Sequence, residues 1–263
     1  MSNSFSIEKL VVRYGSQTAV NGVGIEIAAG AITAIVGPNG CGKSTLLRTM
    51  ARLLAPSEGQ VRLDGSDVQS IAPRGFAKRV ALLPQAPTAP DNLTVIDLVA
   101  RGRDPHRRWF DQWSMPDEAI ITESLERTGM AEFANRPLES LSGGQRQRAW
   151  IALALAQQTE VLLLDEPTTY LDIAHQIEVL DTISAVHAEK AVTVVMVMHD
   201  LSMAARYSDH LLAMREGRLV AAGSVAEVVT PGILRDVFGV ECTVLDDPQS
   251  GRPIVIPRTL VER

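Results

Sequence analysis

The stretch that decides the fold is AITAIVGPNGCGKSTLLRTM, from Ala31 to Met50. An apolar run leads into a glycine-rich loop and then into residues with helical periodicity from Lys43 until Pro56, which predicts a strand, a loop and a helix. The loop Gly37–Ser44 matches the pattern G-x-x-x-x-G-K-[ST], in which successive backbone N–H groups surround phosphate oxygens. The sequence therefore predicts a phosphate-binding loop rather than a glycine-rich turn without a ligand.

The side chains of this loop have distinct predicted roles. Lys43 can bridge the β- and γ-phosphates of a nucleotide, the Ser44 hydroxyl can coordinate Mg²⁺, and Thr45 is placed near the α-phosphate. The helix start could also lower the pKa of the Cys41 thiol and make it reactive, but we favour a residue that contributes only its backbone N–H. The remaining predicted contacts come from Gly37, Pro38, Asn39, Gly40 and Gly42.

Polar side chains also follow other apolar strands. The run VLLLDE ends in Asp165 and Glu166, and carboxylates at the carboxyl end of a buried parallel strand point into a ligand crevice. Asp165 would reach Mg²⁺, and Glu166 would orient or deprotonate an attacking water. His199 could donate a hydrogen bond to the transferred phosphoryl group, and Gln85 could touch both Mg²⁺ and the water. Taken singly, these residues also fit helix caps, a structural histidine and a loop amide.

A second anion-binding helix start is predicted at LSGGQ, from Leu141 to Gln145. Adjacent glycines before a helix expose backbone N–H groups at its positive end, but this stretch carries no lysine. A phosphate-binding helix start without its own lysine is explained if another subunit supplies the lysine-containing loop. The alternative is a glycine-rich helix start with no ligand.

The order of predicted elements is that of an α/β protein. Short strands fill residues 1–86, helical periodicity dominates 87–158, and continuous apolar strands separated by a helix return after 159. The segment DHLLAMREGRLVAAG predicts a hairpin turning at Glu216-Gly217, and the tail predicts another short hairpin. We therefore expect one domain spanning 1–263, with a core of 1–86 and 159–263 and an inserted helical lobe of 87–158.

Composition excludes several classes of protein. The chain of 263 residues has a formal net charge of -6, which argues against nucleic-acid binding. Its apolar runs are shorter than the ~20 residues that cross a bilayer, and its N-terminus lacks the plan of a signal peptide. With two cysteines, a disulfide framework is not expected, and a reducing cytosol is the expected compartment.

Taken together, these motifs resemble the ATP-binding cassette (ABC) ATPases, and the resemblance covers nearly the whole chain. It implies a P-loop NTPase (RecA-like) core with an N-terminal antiparallel β-subdomain and an inserted α-helical signature subdomain. It also implies a head-to-tail homodimer binding ATP and Mg²⁺, in which each signature holds the nucleotide of its partner. The residues that match the family motifs, beyond those of the phosphate loop, are Tyr14 (which stacks on adenine), Gln85, Ser142, Gly143, Gly144, Gln145, Asp165, Glu166, Asp172 and His199.

Three longer segments of the sequence are similar to the ATPases of bacterial iron–siderophore importers. These segments are DNLTVIDLVARGRDPHRRWF, DEPTTYLDIAHQIEVLDTI and the C-terminal stretch VFGVECTVLDDPQSGRPIVIP. This resemblance implies integral-membrane permease partners, an indirect periplasmic or lipoprotein substrate-binding protein, and a peripheral location on the cytoplasmic face of the bacterial inner membrane. A mixed cationic and aromatic group then suits the permease interface. Its members are Arg101, Arg103, His106, Arg107, Arg108, Trp109 and Phe110.

Other functions stay open at this point. One alternative is a soluble ATPase of the same fold without a transporter, such as an iron–sulfur assembly factor or a DNA-repair or translation cassette. Long coiled-coil insertions or a second cassette would mark the last two, and the sequence shows neither. Importers of haem or cobalamin belong to a related group. A regulatory nucleotide-binding subunit without turnover is disfavoured because Glu166 and His199 are both present.

Overall fold

A computed structural model describes residues 5–107, 114–169 and 171–261. It separates into two compact units, one from Met1–Ile71 with Thr193–Arg263 and the other from Ala72–Val192. The strands are β1 (Phe5–Tyr14), β2 (Gln17–Ile27), β3 (Ile32–Val36), β4 (Glu58–Leu63), β5 (Ser66–Asp67), β6 (Val80–Leu83), β7 (Val161–Asp165), β8 (Thr193–Val197), β9 (His210–Arg215), β10 (Arg218–Ser224), β11 (Val240–Asp246) and β12 (Pro253–Leu260). The helices are α1 (Lys43–Met50), α2 (Pro73–Ala77), α3 (Val95–Ala100), α4 (Met115–Arg127), α5 (Gly143–Ala156), α6 (Ile173–Lys190), α7 (Leu201–Tyr207), α8 (Val225–Val228) and α9 (Pro231–Phe238).

The first unit contains an antiparallel sheet in the order β2-β1-β4-β5. Alternating apolar residues put one face of β1 in the core, where Phe5 lies opposite both Ile27 and Leu63. All three side chains are at most 2% exposed. This is the N-terminal antiparallel β-subdomain predicted from the sequence.

The same unit contains parallel strands that place the phosphate loop. β3 pairs in parallel with β8 on one side and with β9 on the other, and β10 completes the hairpin with β9. All residues of β3 and β8 are buried, as expected for strands covered on both faces. Because the strands are parallel, the loop after β3 and the residues after β8 leave the same edge of the sheet.

Helix α1 is shorter than the sequence predicts. Its periodicity was expected to continue to Pro56, but the helix ends at Met50. Arg52 adopts a left-handed conformation with φ 62°, which a continuous helix cannot accommodate. The helical start at Lys43 is as predicted.

The second unit combines the parallel pair β6 and β7 with helices α2 to α6. Helices α3, α4 and α5 enclose a separate apolar cluster, and local signals begin each of them. Thr94 and Ser142 form capping boxes at α3 and α5, and Ser114 caps α4. The main members of the cluster are Val95, Leu98, Val99, Ile121, Leu125, Met130, Ala149 and Ala152.

The C-terminal tail forms the second predicted hairpin, β11–β12, beside α9 and α7 in the first unit. The arrangement as a whole confirms the α/β class. Among the described residues, none of the helices combines the length and the apolar character needed to traverse a lipid bilayer.

Candidate functional site

The phosphate loop depends on glycine at positions where a side chain would collide with the backbone. Gly42 has φ 102°, and a Cβ there would lie 2.3 Å from the carbonyl oxygen of Ala19. Gly37 has φ 149°, and a Cβ there would lie 2.1 Å from the carbonyl oxygen of Met214. No side chain caps the start of α1 at Gly42. The first N–H groups of this helix are therefore placed to bind an anion.

Lys43 lies folded over the phosphate loop. Its Nζ donates hydrogen bonds to the carbonyl oxygens of Gly37, at 2.8 Å, and Pro38, at 3.0 Å. The side chain is only 5% exposed, so its charge is held within the loop rather than in bulk water. A phosphate bound by the loop would meet this ammonium group directly.

Cys41 is a buried structural residue of this loop, at 4% exposure. Burial raises the pKa of the Cys41 thiol, and the neighbouring Lys43 charge opposes this only in part. The reactive thiol with a lowered pKa that the helix start suggested is therefore wrong. The backbone contributes instead, since the Cys41 N–H donates to the carbonyl of Pro38 at 3.3 Å.

Tyr14 reaches the first turn of α1 from the end of β1. Its Oη lies 3.5 Å from Oγ1 of Thr45, and its side chain is half exposed at 49%. A half-exposed aromatic ring held at its hydroxyl end can stack against a planar base. Ser44, between Lys43 and Thr45, is half-buried on the same helical turn.

Glu166 has an unusual backbone conformation, and its carboxylate accepts side-chain hydrogen bonds from two neighbours. It follows β7 with φ 57°, in the left-handed region that non-glycine residues rarely adopt, and it is 7% exposed. Its Oε2 accepts a hydrogen bond from Nε2 of Gln85 at 2.7 Å and another from Oγ1 of Thr169 at 3.0 Å. The structure thus brings together the predicted Gln85 and Glu166. Sequence reasoning missed Thr169, whose signal was a hydroxyl three residues beyond the acid.

Asp165, the last residue of β7, is fully buried. A carboxylate oxygen is a ligand that Mg²⁺ prefers. In the described part of the chain, no group of three or more His, Cys, Asp or Glu side chains could hold a metal by itself. A single buried carboxylate is compatible with Mg²⁺, because that ion usually keeps waters and takes further ligands from substrate phosphates.

The signature stretch forms the predicted second helix start. Ser142 accepts a hydrogen bond from the N–H of Gln145 at 3.2 Å, and the Gln145 side chain accepts from the N–H of Ser142 at 3.0 Å. A Cβ at Gly143 would meet no atom within 4 Å, whereas one at Gly144 would lie 3.3 Å from Cδ2 of Leu171. The open side of α5 is therefore at Gly143.

Asp172 begins α6. Its Oδ1 accepts a hydrogen bond from the backbone N–H of His175 at 2.9 Å and lies 2.8 Å from Nδ1 of the same residue. The backbone N–H of His175 is the main cause that lowers the pKa of the Asp172 carboxyl. Asp172 was predicted as a nucleotide-binding residue, and the structure places it as a helix cap.

His199 lies two residues beyond β8 and is exposed. It borders a mainly apolar cavity of about 400 Å³ between the start of α7, helix α9 and the β11–β12 hairpin. The C-terminal hairpin therefore reaches the surroundings of His199. Sequence reasoning had not connected the hairpin with this residue.

The residues of the predicted cationic and aromatic interface group have different surroundings in the structure: some are buried and some are exposed. Arg103 is buried, with Nε 2.8 Å from Oδ1 of Asp117 and Nη1 donating to the carbonyl of Ala156 at 2.9 Å. The His106 ring lies 2.8 Å from the carbonyl oxygen of Gln157, whereas Arg101 is exposed. Arg103 and His106 therefore serve internal packing. The predicted members that fall outside the described residues are Arg108, Trp109 and Phe110.

Comparisons with known proteins agree with these motifs. A family model described as ABC transporter matches residues 20–169. The ferric enterobactin transport ATP-binding protein FepC of Escherichia coli (strain K12) is 48% identical over 250 residues, covering 95% of this chain and 92% of the relative. The iron(3+)-hydroxamate import ATP-binding protein FhuC of Bacillus subtilis (strain 168) is 47% identical over 260 residues, covering 99% and 97%. A solved ABC transporter assigned to the metal-chelate type, in an inward-facing conformation, superposes with a TM-score of 0.84 at 26% identity, covering 98% of both chains. The chain therefore belongs to the ABC transporter family, as its motifs predict.

Proposed function

We propose that this chain is the ATP-hydrolysing subunit of a bacterial importer for iron–siderophore complexes. The observation that carries the proposal is the identity of 48% and 47% to two ferric-chelate ATP-binding proteins over 95% and 99% of this chain. A phosphate loop with the geometry described above supports the ATPase part independently of those names.

ATP binding is assigned to the first unit. Backbone N–H groups of the loop from Gly37 to Gly42, with the ammonium group of Lys43, would hold the phosphates. Thr45 would contact the α-phosphate, and the open face of Tyr14 would stack on adenine. The absence of a side-chain cap on α1 supports this role, because the helix start can donate its hydrogen bonds to the ligand.

Hydrolysis is assigned to polar groups that follow parallel strands. Glu166 would orient or deprotonate the attacking water, Gln85 would hold that water, and His199 would donate a hydrogen bond to the transferred phosphoryl group. When bound, Mg²⁺ would stabilise negative charge on the phosphate oxygens, with Ser44, Gln85 and Asp165 as its protein partners. The contact between Gln85 and Glu166 supports a joint action of these two groups.

The signature residues are assigned to the nucleotide of a second copy. In the proposed head-to-tail homodimer, Ser142, Gly143, Gly144 and Gln145 of one subunit would contact the ATP held by its partner's phosphate loop. Ser142 already accepts a hydrogen bond as a helix cap, but its hydroxyl can still donate one to a phosphate oxygen. Asp172 would contribute from the start of α6.

The remaining assignments concern partners and location. We propose that the chain acts on the cytoplasmic face of the bacterial inner membrane with integral-membrane permease subunits, and indirectly with a substrate-binding protein. Within the single domain, residues 87–158 form the helical signature subdomain, and 1–86 with 159–263 form the nucleotide-binding core. The exposed Arg101 supports a partner contact from the helical part.

The test is a pull-down of tagged Glu166→Gln protein from detergent-solubilised host membranes in the presence of ATP and Mg²⁺. This variant should bind ATP but hydrolyse it at least ~100-fold more slowly, since general-base catalysis typically contributes 10²–10⁴. A polytopic permease should be recovered together with the tagged protein. Recovery of soluble partners alone would overturn the importer role, and unchanged hydrolysis would overturn the role of Glu166.

A further inference from the structure

We propose that Thr169 is a positioning residue for Glu166 and that its hydroxyl orients the carboxylate that acts on the attacking water. The inference rests on the proposed ATPase function. The Thr169 hydroxyl donates to Oε2 of Glu166 at 3.0 Å, and the Thr169 backbone N–H donates to the Glu166 carbonyl at 3.3 Å. Both bonds close the same short turn.

Glu166 needs such a partner because its backbone is strained. A non-glycine residue at φ 57° is held in place only by its surroundings, and the start of the Glu166 side chain is set by that backbone. A hydrogen bond from a hydroxyl to a carboxylate fixes the direction of the accepting oxygen, so it limits the rotation of the terminal group. The hydroxyl thus selects one orientation of the carboxylate.

Gln85 and Thr169, which both donate to Oε2 of Glu166, differ in their distance from Glu166 along the chain. Gln85 lies beyond β6 on a separate segment, and its amide is also assigned to Mg²⁺ and to the water. Thr169 belongs to the same turn as Glu166, so the short chain between the two residues holds its hydroxyl within reach even if the Gln85 contact is lost. Thr169 is therefore the donor that can keep the carboxylate oriented throughout turnover.

The turn does not depend on the Thr169 hydroxyl for its own shape. Gln147 of the signature helix α5 donates from Nε2 to the carbonyl of Pro167 at 3.0 Å. The N–H of Leu171 donates to the carbonyl of Thr168 at 3.3 Å. Removing one hydroxyl should therefore leave the turn in place and change only the carboxylate.

The experiment compares Thr169→Val, which keeps the shape and removes the donor, with Thr169→Ser, which keeps the donor. We expect the valine variant to lose about tenfold or more in kcat with an unchanged KM and an unchanged affinity for ATP. The serine variant should retain kcat within about twofold of the wild type. Thr182→Val is the matched control, because the Thr182 hydroxyl donates to the Glu178 carbonyl on α6, away from Glu166.

A Glu166→Gln background separates positioning from a structural role. If Thr169 acts through the carboxylate, adding Thr169→Val to Glu166→Gln should reduce the residual rate no further. An unchanged kcat in Thr169→Val, an equal loss in both Thr169 variants, or an additive loss in the double variant would each overturn the inference. Failure of the ATPase proposal gives a different result, namely no ATP hydrolysis by the wild-type protein, whereas wild-type hydrolysis in Glu166→Gln would remove the role of Glu166 alone.

Discussion

At the scale of single residues, Lys43 shapes the phosphate loop, and we propose that it also binds ATP. Its ammonium group bonds the carbonyls of Gly37 and Pro38, so it counters the negative ends of these groups while facing the phosphate position. Lys43→Ala should lower ATP affinity by roughly 10- to 100-fold, since hydrogen bonds to charged groups contribute about 1.5–3 kcal/mol. Fluorescent-nucleotide titration measures this loss.

The control for this prediction is Lys78→Ala, which removes an equal charge from an exposed position beyond α2. Its ATP affinity should equal that of the wild type. If Lys43→Ala bound ATP as tightly as this control, the ammonium group would have no part in phosphate binding.

The candidate site residues could be named from the sequence because they follow strands or lie in motifs in which most positions are specified. Their partners could not be named. The bond from Thr169 to Glu166 depends on a left-handed backbone at an acidic residue, which residue type does not indicate. The buried Arg103 looked like a surface cation because its partner Asp117 lies on a different helix. Such pairings are decided by tertiary packing, which residue pattern alone does not encode.

At the scale of elements, the phosphate loop allows a direct comparison of two glycines. Gly40 and Gly42 both have positive φ, at 76° and 102°, so alanine is strained at either position. A Cβ meets nothing within 4 Å at Gly40 but lies 2.3 Å from the Ala19 carbonyl at Gly42. Gly42→Ala should therefore lower the free energy of unfolding by about 1–3 kcal/mol more than Gly40→Ala, the cost of overpacking.

Urea unfolding of the two alanine variants measures this difference in the free energy of unfolding. The Gly40→Ala variant serves as the matched control, since it carries the backbone strain without the collision. Equal losses in both variants would mean that backbone strain alone sets the loss in the free energy of unfolding. The loop around Gly42 would then have shifted to relieve the collision with the Ala19 carbonyl.

The buried ion pair at the start of α4 makes a pH-dependent contribution to stability. Burial tends to raise the pKa of the Asp117 carboxyl, but hydrogen bonds from Ser114 and Arg103 outweigh it, and the pKa lies below the ordinary 3.8. Because the folded pKa is depressed, the stabilisation is complete above pH 3.8 and is lost as the pH falls through the lower folded pKa. Asp117→Asn should cost about 3–5 kcal/mol at neutral pH, the usual result of breaking a buried pair.

Urea unfolding at pH 7 and near pH 3 tests this prediction. The free-energy gap between wild type and Asp117→Asn should shrink in acid, whereas the exposed neighbour Glu118→Gln should show a small effect at both values. A gap that stays constant with pH would mean that Asp117 does not contribute as a charged group.

Element boundaries were predictable where a local signal sets them. Helix starts at Lys43 and Gly143 follow from glycine and serine caps, and the hairpin turn at Glu216-Gly217 follows from its residue types. The end of α1 was misjudged because the left-handed conformation of Arg52 has no signature in that residue. Apolar periodicity continues past a helix end that the backbone imposes.

At the scale of the whole molecule, the two glycine-rich helix starts differ in a way that indicates separate ligand contacts. The start of α1 carries a buried lysine and no side-chain cap, whereas the start of α5 is capped by its own Ser142 and has open space at Gly143. A helix start that is complete in its own chain and still open on one side suits a ligand delivered by another subunit. Mixing experiments can test this arrangement.

Lys43→Ala and Gly143→Asp should each abolish hydrolysis alone, and mixing them should restore part of it. A Cβ at Gly143 meets no atom within 4 Å and an aspartate suits a helix N-terminus, so the fold should persist while the charge repels a phosphate. If each site combines the phosphate loop of one subunit with the signature of the other, a mixed dimer contains one intact site. Random assortment then gives about a quarter of the wild-type rate, provided that single sites turn over independently.

A chain carrying both substitutions resolves the case in which the two sites depend on each other. In a head-to-tail dimer with a wild-type subunit, this double variant spoils both sites, so an excess of it should suppress wild-type hydrolysis. Gly143→Ala, which adds no charge, is the control for the substitution itself. Steady wild-type hydrolysis under that excess, with no recovery in the mixture of single variants, would mean that each chain uses its own signature, and the proposed trans arrangement would be wrong.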